Sequence, residues 1–252
     1  MIKQSLHNHI LTISISRIEK KNALIPAMYD DMAQAILDAP KNQAKVIIIK
    51  GEGGIFTAGN DVGEFIKSAE QDNKEVNETY RFMQALLHCK LPVIAQVEGL
   101  AIGIGSTLLL HCDFVLSDAN TKFAMPFINL GLVPEYASSY IVPRVAGRLK
   151  AAELLMLGEV FSAQMAQECG FVSRIYKENL SEQVWDLACK LASKPAAALQ
   201  QTKALLQPNI DDIAQHIDTE LSVFVSAMQS EQAKEAFNAF IEKRAVNNEV
   251  FK

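Results

Sequence analysis

Two glycine-rich segments of this 252-residue chain could bind an anion through the peptide backbone. They are GEGGIFTAGNDVGEF at 51–65 and VEGLAIGIGSTLLLHCD at 97–113, and eight of the twelve glycines lie between residues 51 and 105. Each segment follows a predicted strand and leads into a predicted helix. Such junctions leave backbone N–H groups free at a helix N-terminus, where they can hold an anion or a developing oxyanion.

Neither segment matches a common nucleotide-binding or nucleophile motif. The first has no GxxxxGKS/T pattern, and the second has Gly-Ile-Gly-Ser at 103–106 without GxGxxG or GxSxG. As isolated patterns, both are more typical of tight turns than of ligand sites. Their occurrence after two successive buried strands nevertheless favours a common site.

Glu135 is the one acid in GLVPEYASSYIVP, residues 131–143, and it directly follows Pro134. If a helix begins there, Glu135 lies in its first turn, where an acid complements the helix dipole and needs no further function. Alternatively, it is an active-site carboxylate whose apolar neighbours desolvate it and raise its pKa. The residues alone leave both explanations open.

The elements that must position these residues alternate between strand and helix. Period-two alternation and short β-branched runs predict strands at 11–15, 46–49, 93–97 and 113–116. Helical spacing predicts helices at 26–38, at 74–89 and from about residue 134 onward. This order predicts an α/β core.

Strand signals end near Ser181, and helix-forming residues dominate from there onward. We therefore expect an α/β core at residues 1–195 and a helical region at 196–252, with breaks at Ser193-Lys194-Pro195 and at Pro208-Asn209. Apolar residues of the helical region recur at helical spacing: Ile213, Ile217, Leu221, Phe224, Val225, Phe237 and Phe240. This stripe either packs on the core of its own chain, as helical stripes more often do, or contacts another subunit.

Composition narrows the class of protein. Hydrophobic residues make up 49% of the chain, and the formal charge of -5 argues against a nucleic-acid partner. The four cysteines have no metal-ligand spacing, and no metal site is expected. No apolar run has the length of a signal sequence or membrane span, so we expect no membrane partner and a cytoplasmic location.

The glycine segments resemble those of the enoyl-CoA hydratase/isomerase (crotonase) superfamily. FTAGNDVGEF at 56–65 is similar to its first oxyanion-binding segment, and residues 97–134 are similar to its second. SRIEKKNALIPAMYDDM at 16–32 resembles the family's coenzyme A-binding opening, and residues 158–175 resemble its late helix and strand. The matches keep the family order and span nearly the whole chain.

The resemblance implies a fold, an assembly and two backbone donors. The fold is an α/β spiral of ββα units followed by a helical region that helps to form trimers or dimers of trimers, which favours a subunit contact for residues 196–252. The N–H groups of Asn60 and Ile104 would bind the thioester oxygen of an acyl-CoA. Further contacts with substrate or coenzyme A are implied for Lys20, Ala23, Ala58, Gly59, Asp61, Gly103 and Gly105. From the residues alone, Lys20 is more typical of a solvated surface lysine, and Asp61 of a structural loop acid.

The resemblance also implies a reaction. Hydratases of the family hold a water between two glutamates, whose places are taken here by Thr107 and Phe127, so hydration is not expected. Glu135 resembles the single catalytic glutamate of the Δ3-Δ2-enoyl-CoA isomerase branch. One carboxylate can remove a proton from C2 and return it at C4, which needs no cofactor.

Two alternatives stay open. The substrate could be a ring-containing or epoxide-derived CoA ester that is isomerised in a degradation pathway. The chain could instead bind CoA or a partner protein without catalysis, although a non-catalytic protein has no need of two free N–H groups.

Overall fold

The computed structural model describes residues 1–63, 74–247 and 249–251, and for residues 74–77 the backbone alone. Within these ranges the chain forms nine strands: β1 (Ile2–His7), β2 (Ile10–Ile15), β3 (Val46–Gly51), β4 (Val93–Val97), β5 (Leu100–Ile102), β6 (Phe114–Asp118), β7 (Lys122–Ala124), β8 (Phe161–Ser162) and β9 (Arg174–Tyr176). The same ranges contain ten α-helices: α1 (Pro26–Asp38), α2 (Lys74–Leu87), α3 (Ile104–Thr107), α4 (Ser138–Ala146), α5 (Arg148–Ala152), α6 (Ala163–Glu168), α7 (Leu180–Ala192), α8 (Ala196–Leu206), α9 (Ile210–Met228) and α10 (Glu231–Glu242). Short 3-10 turns lie at Ile18–Lys20, Leu108–His111 and Phe127–Leu130, and a π-helical turn lies at Glu153–Leu157.

The strands form two sheets that are connected repeatedly. The larger sheet has the order β1-β2-β3-β4-β6-β9 and is parallel except for the β1–β2 hairpin. The smaller sheet has the order β5-β7-β8. β4 leads directly into β5 and β6 into β7, so a strand of the larger sheet is followed by one of the smaller sheet. These repeated ββ connections form the predicted α/β spiral.

Both faces of the central strand β3 are buried. Ile47 and Ile49 point into the main core, which α1 and α2 cover, whereas Val46 and Ile48 pack with Val184 of α7 on the other face. Such strands read as continuous apolar runs, because a parallel sheet inside an α/β fold has no solvated face. For this reason the apolar run Val-Ile-Ile-Ile at 46–49 predicts a strand from sequence alone.

Most predicted elements of the core are confirmed. The helix predicted at 26–38 and the strand predicted at 93–97 have the bounds observed for α1 and β4. β1 was missed because five of its six residues are exposed and it lacks an apolar alternation. The helix predicted after the first glycine segment falls largely on residues 64–73, which lie outside the described residues.

The two breaks predicted near Pro195 and Asn209 are observed. α8 starts directly after Pro195, and α9 follows Asn209. Ile217, Phe224 and Phe237 are buried in the core of their own chain, so the expectation of a subunit contact was wrong for these three residues. A division of the chain at residue 195 and a subunit contact through other residues of this region stay predictions.

Candidate active site

The two glycine-rich segments run side by side. The N–H of Thr57 donates to the carbonyl of Leu100 at 3.0 Å, and the carbonyl of Thr57 accepts from the N–H of Ile102 at 3.1 Å. An isolated parallel β-bridge pairs Thr57 of the first segment with Ala101 of the second. Asn60 and Ile104 each lie three residues after the paired residue, so they occupy matching positions. The structure therefore brings the two predicted donors together.

The backbone N–H groups of Asn60 and Ile104 have no protein acceptor among the described residues. Asn60 lies between Gly59 and Asp61, whose carbonyl and N–H both bind the backbone of Leu24 at 2.8 Å. Ile104 is the first residue of α3, where a helical N–H has no acceptor within its own helix. Both groups are consequently available to an oxygen atom of a ligand.

Close backbone packing explains two of the glycines. Gly59 has a φ of +87°, and a Cβ placed there would lie 2.7 Å from the carbonyl oxygen of Ile102. Gly105 would place a Cβ 2.5 Å from Cγ2 of Thr57. A side chain at either position would push the two segments apart and move the donors.

A cavity of about 640 Å³ opens at the donors. It is lined by eight of the predicted site residues: Lys20, Ala23, Ala58, Gly59, Asn60, Asp61, Gly103 and Ile104. Its apolar wall includes Ile102, Pro126, Phe127, Leu130, Leu132, Phe224, Phe237, Phe240 and Ile241. Gly105 and Glu135 do not line it. A mostly apolar cavity with a few polar groups is typical of a small-molecule site.

The charged residues of the cavity differ in how they are engaged. Oδ2 of Asp61 accepts from Nη1 of Arg17 at 2.7 Å, and Oδ1 accepts from the N–H of Gly63 at 3.1 Å, as expected of a structural loop acid. Arg244 donates to both carboxylate oxygens of Glu235 at 2.5 and 2.9 Å. Lys20 has no ion-pair partner among the described residues, so it is the cation most available to an anionic ligand.

Glu135 precedes a helix and does not lie in its first turn, so that prediction was wrong. Tyr136 and Ala137 adopt left-handed φ values of 58° and 55°, and α4 begins at Ser138. The N–H and hydroxyl of Ser138 donate to the carbonyl of Glu135 at 3.1 and 2.6 Å. These bonds form a tight turn that directs the Glu135 side chain independently of the helix axis.

The carboxyl of Glu135 is buried and its pKa is raised to about 8. Burial raises the pKa most, the nearby charge of Glu220 raises it further, and a contact with the hydroxyl of Thr107, 3.5 Å from Oε1, lowers it. The desolvation by apolar neighbours that the sequence suggested therefore dominates, and a carboxyl with this pKa is mainly protonated at neutral pH. A carboxyl whose pKa lies near the working pH can both accept and return a proton.

A stacked pair of rings supports the segment that carries Glu135. The rings of Tyr136 and His111 lie 3.7 Å apart, and Nε2 of His111 donates to the carbonyl of Tyr136 at 2.8 Å. Burial lowers the pKa of His111 to about 4, so the imidazole is neutral. The hydroxyl of Tyr136 donates to the carbonyl of Met83 at 3.0 Å. His111 is therefore a buried, hydrogen-bonded residue.

Thr107 and Phe127 occupy the places where the resemblance puts the glutamates of hydratases. Thr107 is fully buried beside Glu135. Phe127 lines the cavity and packs edge-on against Phe224 of α9, with ring centroids 6.4 Å apart. Neither side chain can act as a carboxylate base for water.

Glu220 of α9 is a buried acid that the sequence analysis missed. Its Oε1 accepts from the N–H of Ser139 at 2.9 Å and from the hydroxyl of the same residue. A signal was present in the sequence, because position 220 lies on the helical face of Ile217 and Phe224, where an apolar residue is expected.

Sequence comparison identifies the family. A profile of the enoyl-CoA hydratase/isomerase family matches residues 5–249, which is nearly the whole chain. The chain belongs to the enoyl-CoA hydratase/isomerase family. This confirms the predicted family and, with the sheet order, the crotonase-like fold.

Relatives within the enoyl-CoA hydratase/isomerase family differ in the reaction that their names state. The chain is 30% identical to enoyl-CoA delta isomerase 2 of Rattus norvegicus, over 93% of this chain and 62% of the rat protein. It is 31% identical to 2,3-dehydroadipyl-CoA hydratase of Escherichia coli, over 95% of each. The solved structure of Pseudomonas aeruginosa OdaA matches with 39% identity and a TM-score of 0.91, covering 95% of this chain and 98% of that one.

Membership of the enoyl-CoA hydratase/isomerase family is consistent with an acyl-CoA thioester as substrate. Because both isomerases and hydratases are relatives at about 30% identity, the comparisons leave the reaction itself open. Among the described residues, no helix has the length and hydrophobicity needed to cross a membrane. In the same residues, no three His, Cys, Asp or Glu side chains cluster as metal ligands.

Proposed function

We propose that the protein is a Δ3-Δ2-enoyl-CoA isomerase that moves a double bond from C3–C4 to C2–C3 of an acyl-CoA. The observation that carries the proposal is the pairing of the buried carboxyl of Glu135 with the helix that begins at the free N–H of Ile104. The contact of Glu135 with Thr107 of α3 ties the two together. Thr107 and Phe127 replace the carboxylates that hydration would require.

In the proposed reaction, the N–H groups of Asn60 and Ile104 bind the thioester oxygen of the substrate. When a proton leaves C2, negative charge moves onto this oxygen, and the two donors stabilise the resulting dienolate. A preorganised donor of this kind contributes about 10²–10³ in rate. The free state of both N–H groups supports this role, because no protein acceptor among the described residues competes with the substrate.

Glu135 carries the proton in the proposed reaction. Its carboxylate removes a proton from C2, and the carboxyl so formed returns that proton to C4, so the substrate and product differ only in the position of the double bond. The raised pKa of Glu135 makes the carboxylate a stronger base than an exposed glutamate. Since Glu135 does not line the empty cavity, the proposal requires that substrate binding bring C2 and C4 to its carboxyl.

The remaining cavity residues suit the rest of an acyl-CoA. The apolar wall that includes Phe127, Leu132 and Phe237 can pack against the acyl chain. Lys20 is the cation best placed to meet a phosphate of coenzyme A, because it lines the cavity and is exposed. We propose that the acyl-CoA is the only small molecule that the reaction needs.

Incubation with matched substrates tests the proposed function. The protein is assayed with 3-enoyl-CoA and with 2-enoyl-CoA of the same chain lengths, and with a ring-containing unsaturated CoA ester. Absorbance of the conjugated thioester reports isomerisation, and mass spectrometry reports the addition of water. We expect isomerisation of 3-enoyl-CoA with little hydration. Hydration at a comparable rate, or turnover of the ring-containing ester alone, would overturn the proposal.

A further inference from the structure

Glu220 of α9 is hydrogen-bonded to the start of α4. The N-cap residue of α4, Ala137, has no side chain that can accept a hydrogen bond, and its left-handed φ is unusual for a residue with a Cβ. Oε1 of Glu220 accepts from both the N–H and the hydroxyl of Ser139 in the first turn of α4. A carboxylate from α9 thus serves as the cap that α4 lacks.

The other oxygen of Glu220 is buried and accepts no hydrogen bond of good geometry among the described residues, where the N–H of Ala137 is the further donor close to the carboxyl. Glu220 exposes only 7% of its surface to solvent. Its Oε2 atom meets no hydrogen-bond donor within normal geometry. Leaving a buried carboxylate oxygen unsatisfied is costly, because it has lost its hydration. A helix cap requires only one acceptor oxygen, which a neutral side chain such as glutamine could supply. The buried second oxygen therefore indicates that Glu220 has a further role.

The start of α4 connects this carboxyl to Glu135, because Ser139 donates to Glu220 and its neighbour Ser138 donates to the carbonyl of Glu135. The charge of Glu220 acts on Glu135 across the start of α4. On its own helix, His216 is the titratable neighbour of Glu220. Two further acids of α9 are hydrogen-bonded to tyrosines. The hydroxyl of Tyr80 of α2 donates to Asp218 at 2.8 Å. Tyr140 of α4 likewise approaches Asp212, at 3.4 Å.

We infer that Glu220 is a positioning residue for Glu135: it fixes the turn between Glu135 and Ser139, and it places a second buried carboxyl behind the base. The inference rests on the proposed function, because Glu220 acts on the reaction only through Glu135. Like charges in a buried site resist simultaneous ionisation. Glu220 therefore makes Glu135 a stronger base and helps it to keep the proton between removal at C2 and return at C4.

Glu220→Gln tests this role because it retains an oxygen acceptor for Ser139 and removes the charge. Glu231→Gln, at an exposed position of α10, is the matched control. In isomerisation assays we expect the midpoint of the pH profile of kcat/KM to fall by about one unit in Glu220→Gln and to stay in place in the control. A profile that coincides with that of the control would reduce Glu220 to a structural cap and overturn the inference.

A second measurement is independent of turnover. Difference infrared spectroscopy between the parent protein and Glu135→Gln isolates the carbonyl band of protonated Glu135, which is followed against pH. The same difference in the Glu220→Gln background should titrate at lower pH. If the parent protein does not isomerise 3-enoyl-CoA, the proposed function fails, whereas this titration still decides whether the two carboxyls are coupled. An unchanged infrared midpoint overturns the coupling.

Ser139→Ala covers the case in which Glu220→Gln does not fold. This variant keeps both carboxyls and removes only the hydroxyl that donates to Glu220. We expect kcat to fall about tenfold while KM for the acyl-CoA stays constant, because the turn that directs Glu135 loosens. A kcat equal to that of the parent would contradict the positioning role.

Discussion

The hydroxyl of Thr107 lies 3.5 Å from Oε1 of Glu135, at the end of the helix that begins with Ile104. One four-residue helix therefore contacts the proposed base at its last residue and presents a proposed oxyanion donor at its first. The same short helix therefore carries the donor and borders the carboxyl. This relationship connects the two halves of the proposed reaction, which are proton transfer and stabilisation of the charge that proton transfer creates.

Replacing Glu135 with glutamine should abolish most turnover without abolishing binding. Glutamine keeps the size of the side chain but cannot accept the C2 proton, so kcat should fall by the roughly 10²–10⁴ that general acid–base catalysis contributes. Exchange of the C2 proton of a bound acyl-CoA in deuterated water should be lost in parallel. Glu231→Gln serves as the control and should keep the parent rate. A Glu135→Gln variant that turns over at close to the parent rate would assign the base to another residue.

The raised pKa of Glu135 predicts how the rate depends on pH. The carboxylate is the form that accepts a proton, and with a pKa of about 8 it is the minor form at neutral pH. The kcat/KM for isomerisation should therefore rise as pH increases from 6, approach a tenfold gain per unit below the midpoint, and level off above pH 8. Initial rates measured between pH 6 and 10 test this. A profile that is flat or falls between pH 6 and 8 is incompatible with a base of this kind.

The same pKa predicts that Glu135→Gln becomes stabilising at alkaline pH. Below the unfolded-state pKa of 4.5 the group is protonated in both states and has no pH-linked effect. Between pH 4.5 and about 8 the unfolded chain releases the proton and the folded protein keeps it, so the parent loses stability as pH rises. Glutamine does not titrate, and the variant should therefore gain on the order of a few kcal/mol over the parent at pH 9 relative to pH 5.

Chemical denaturation of parent and variant at pH 5 and pH 9 measures this difference. Glu231→Gln is again the control, since it removes an exposed carboxylate far from the site and should leave the difference between the two pH values unchanged. If the free energies of unfolding of Glu135→Gln and the parent changed equally with pH, Glu135 would not be a buried, mainly protonated carboxyl in the folded protein.

The donor pair was predictable because its requirements are local. Gly59 and Gly105 are needed where two backbones nearly touch, and a glycine in such a place is visible in the sequence itself. The strands that lead to them are equally visible, because buried parallel strands are continuous apolar runs. The resemblance to the family then identified Asn60 and Ile104 as the residues whose N–H groups matter.

The surroundings of Glu135 were not predictable in this way. Local propensity favours a helix directly after Pro134, but Tyr136 and Ala137 adopt left-handed φ values that distant contacts hold in place. One of these contacts joins Ser139 to Glu220, which is 81 residues away in sequence. No pattern within the segment encodes a partner at that distance, so the start of α4 and its contact with Glu220 emerged only from the tertiary structure, although an acid on the apolar face of α9 is visible in the sequence.

At Asn60, we expect turnover to depend on the position of the backbone N–H and not on the side chain. Gly59→Val introduces a Cβ at a φ of +87°, 2.7 Å from the carbonyl oxygen of Ile102, so the segment must shift and carry the N–H of Asn60 with it. Loss of one donor predicts a fall in kcat of about 10²–10³. Asn60→Ala leaves the backbone in place. It removes the side-chain amide, whose oxygen accepts from the hydroxyl of Tyr29, at a cost of about 0.5–1.5 kcal/mol of stability.

Gly54→Val separates the loss of a donor from backbone strain in general. Gly54 also has a positive φ, of +72°, but a Cβ there meets no atom within 4 Å, and the residue does not line the cavity. Both valine variants should lower the free energy of unfolding through strain, whereas only Gly59→Val should lose turnover measured on protein that is folded at the assay temperature. Equal losses of kcat in Asn60→Ala and Gly59→Val would mean that the Asn60 side chain takes part in catalysis, and the backbone-donor mechanism would have to be abandoned at this position.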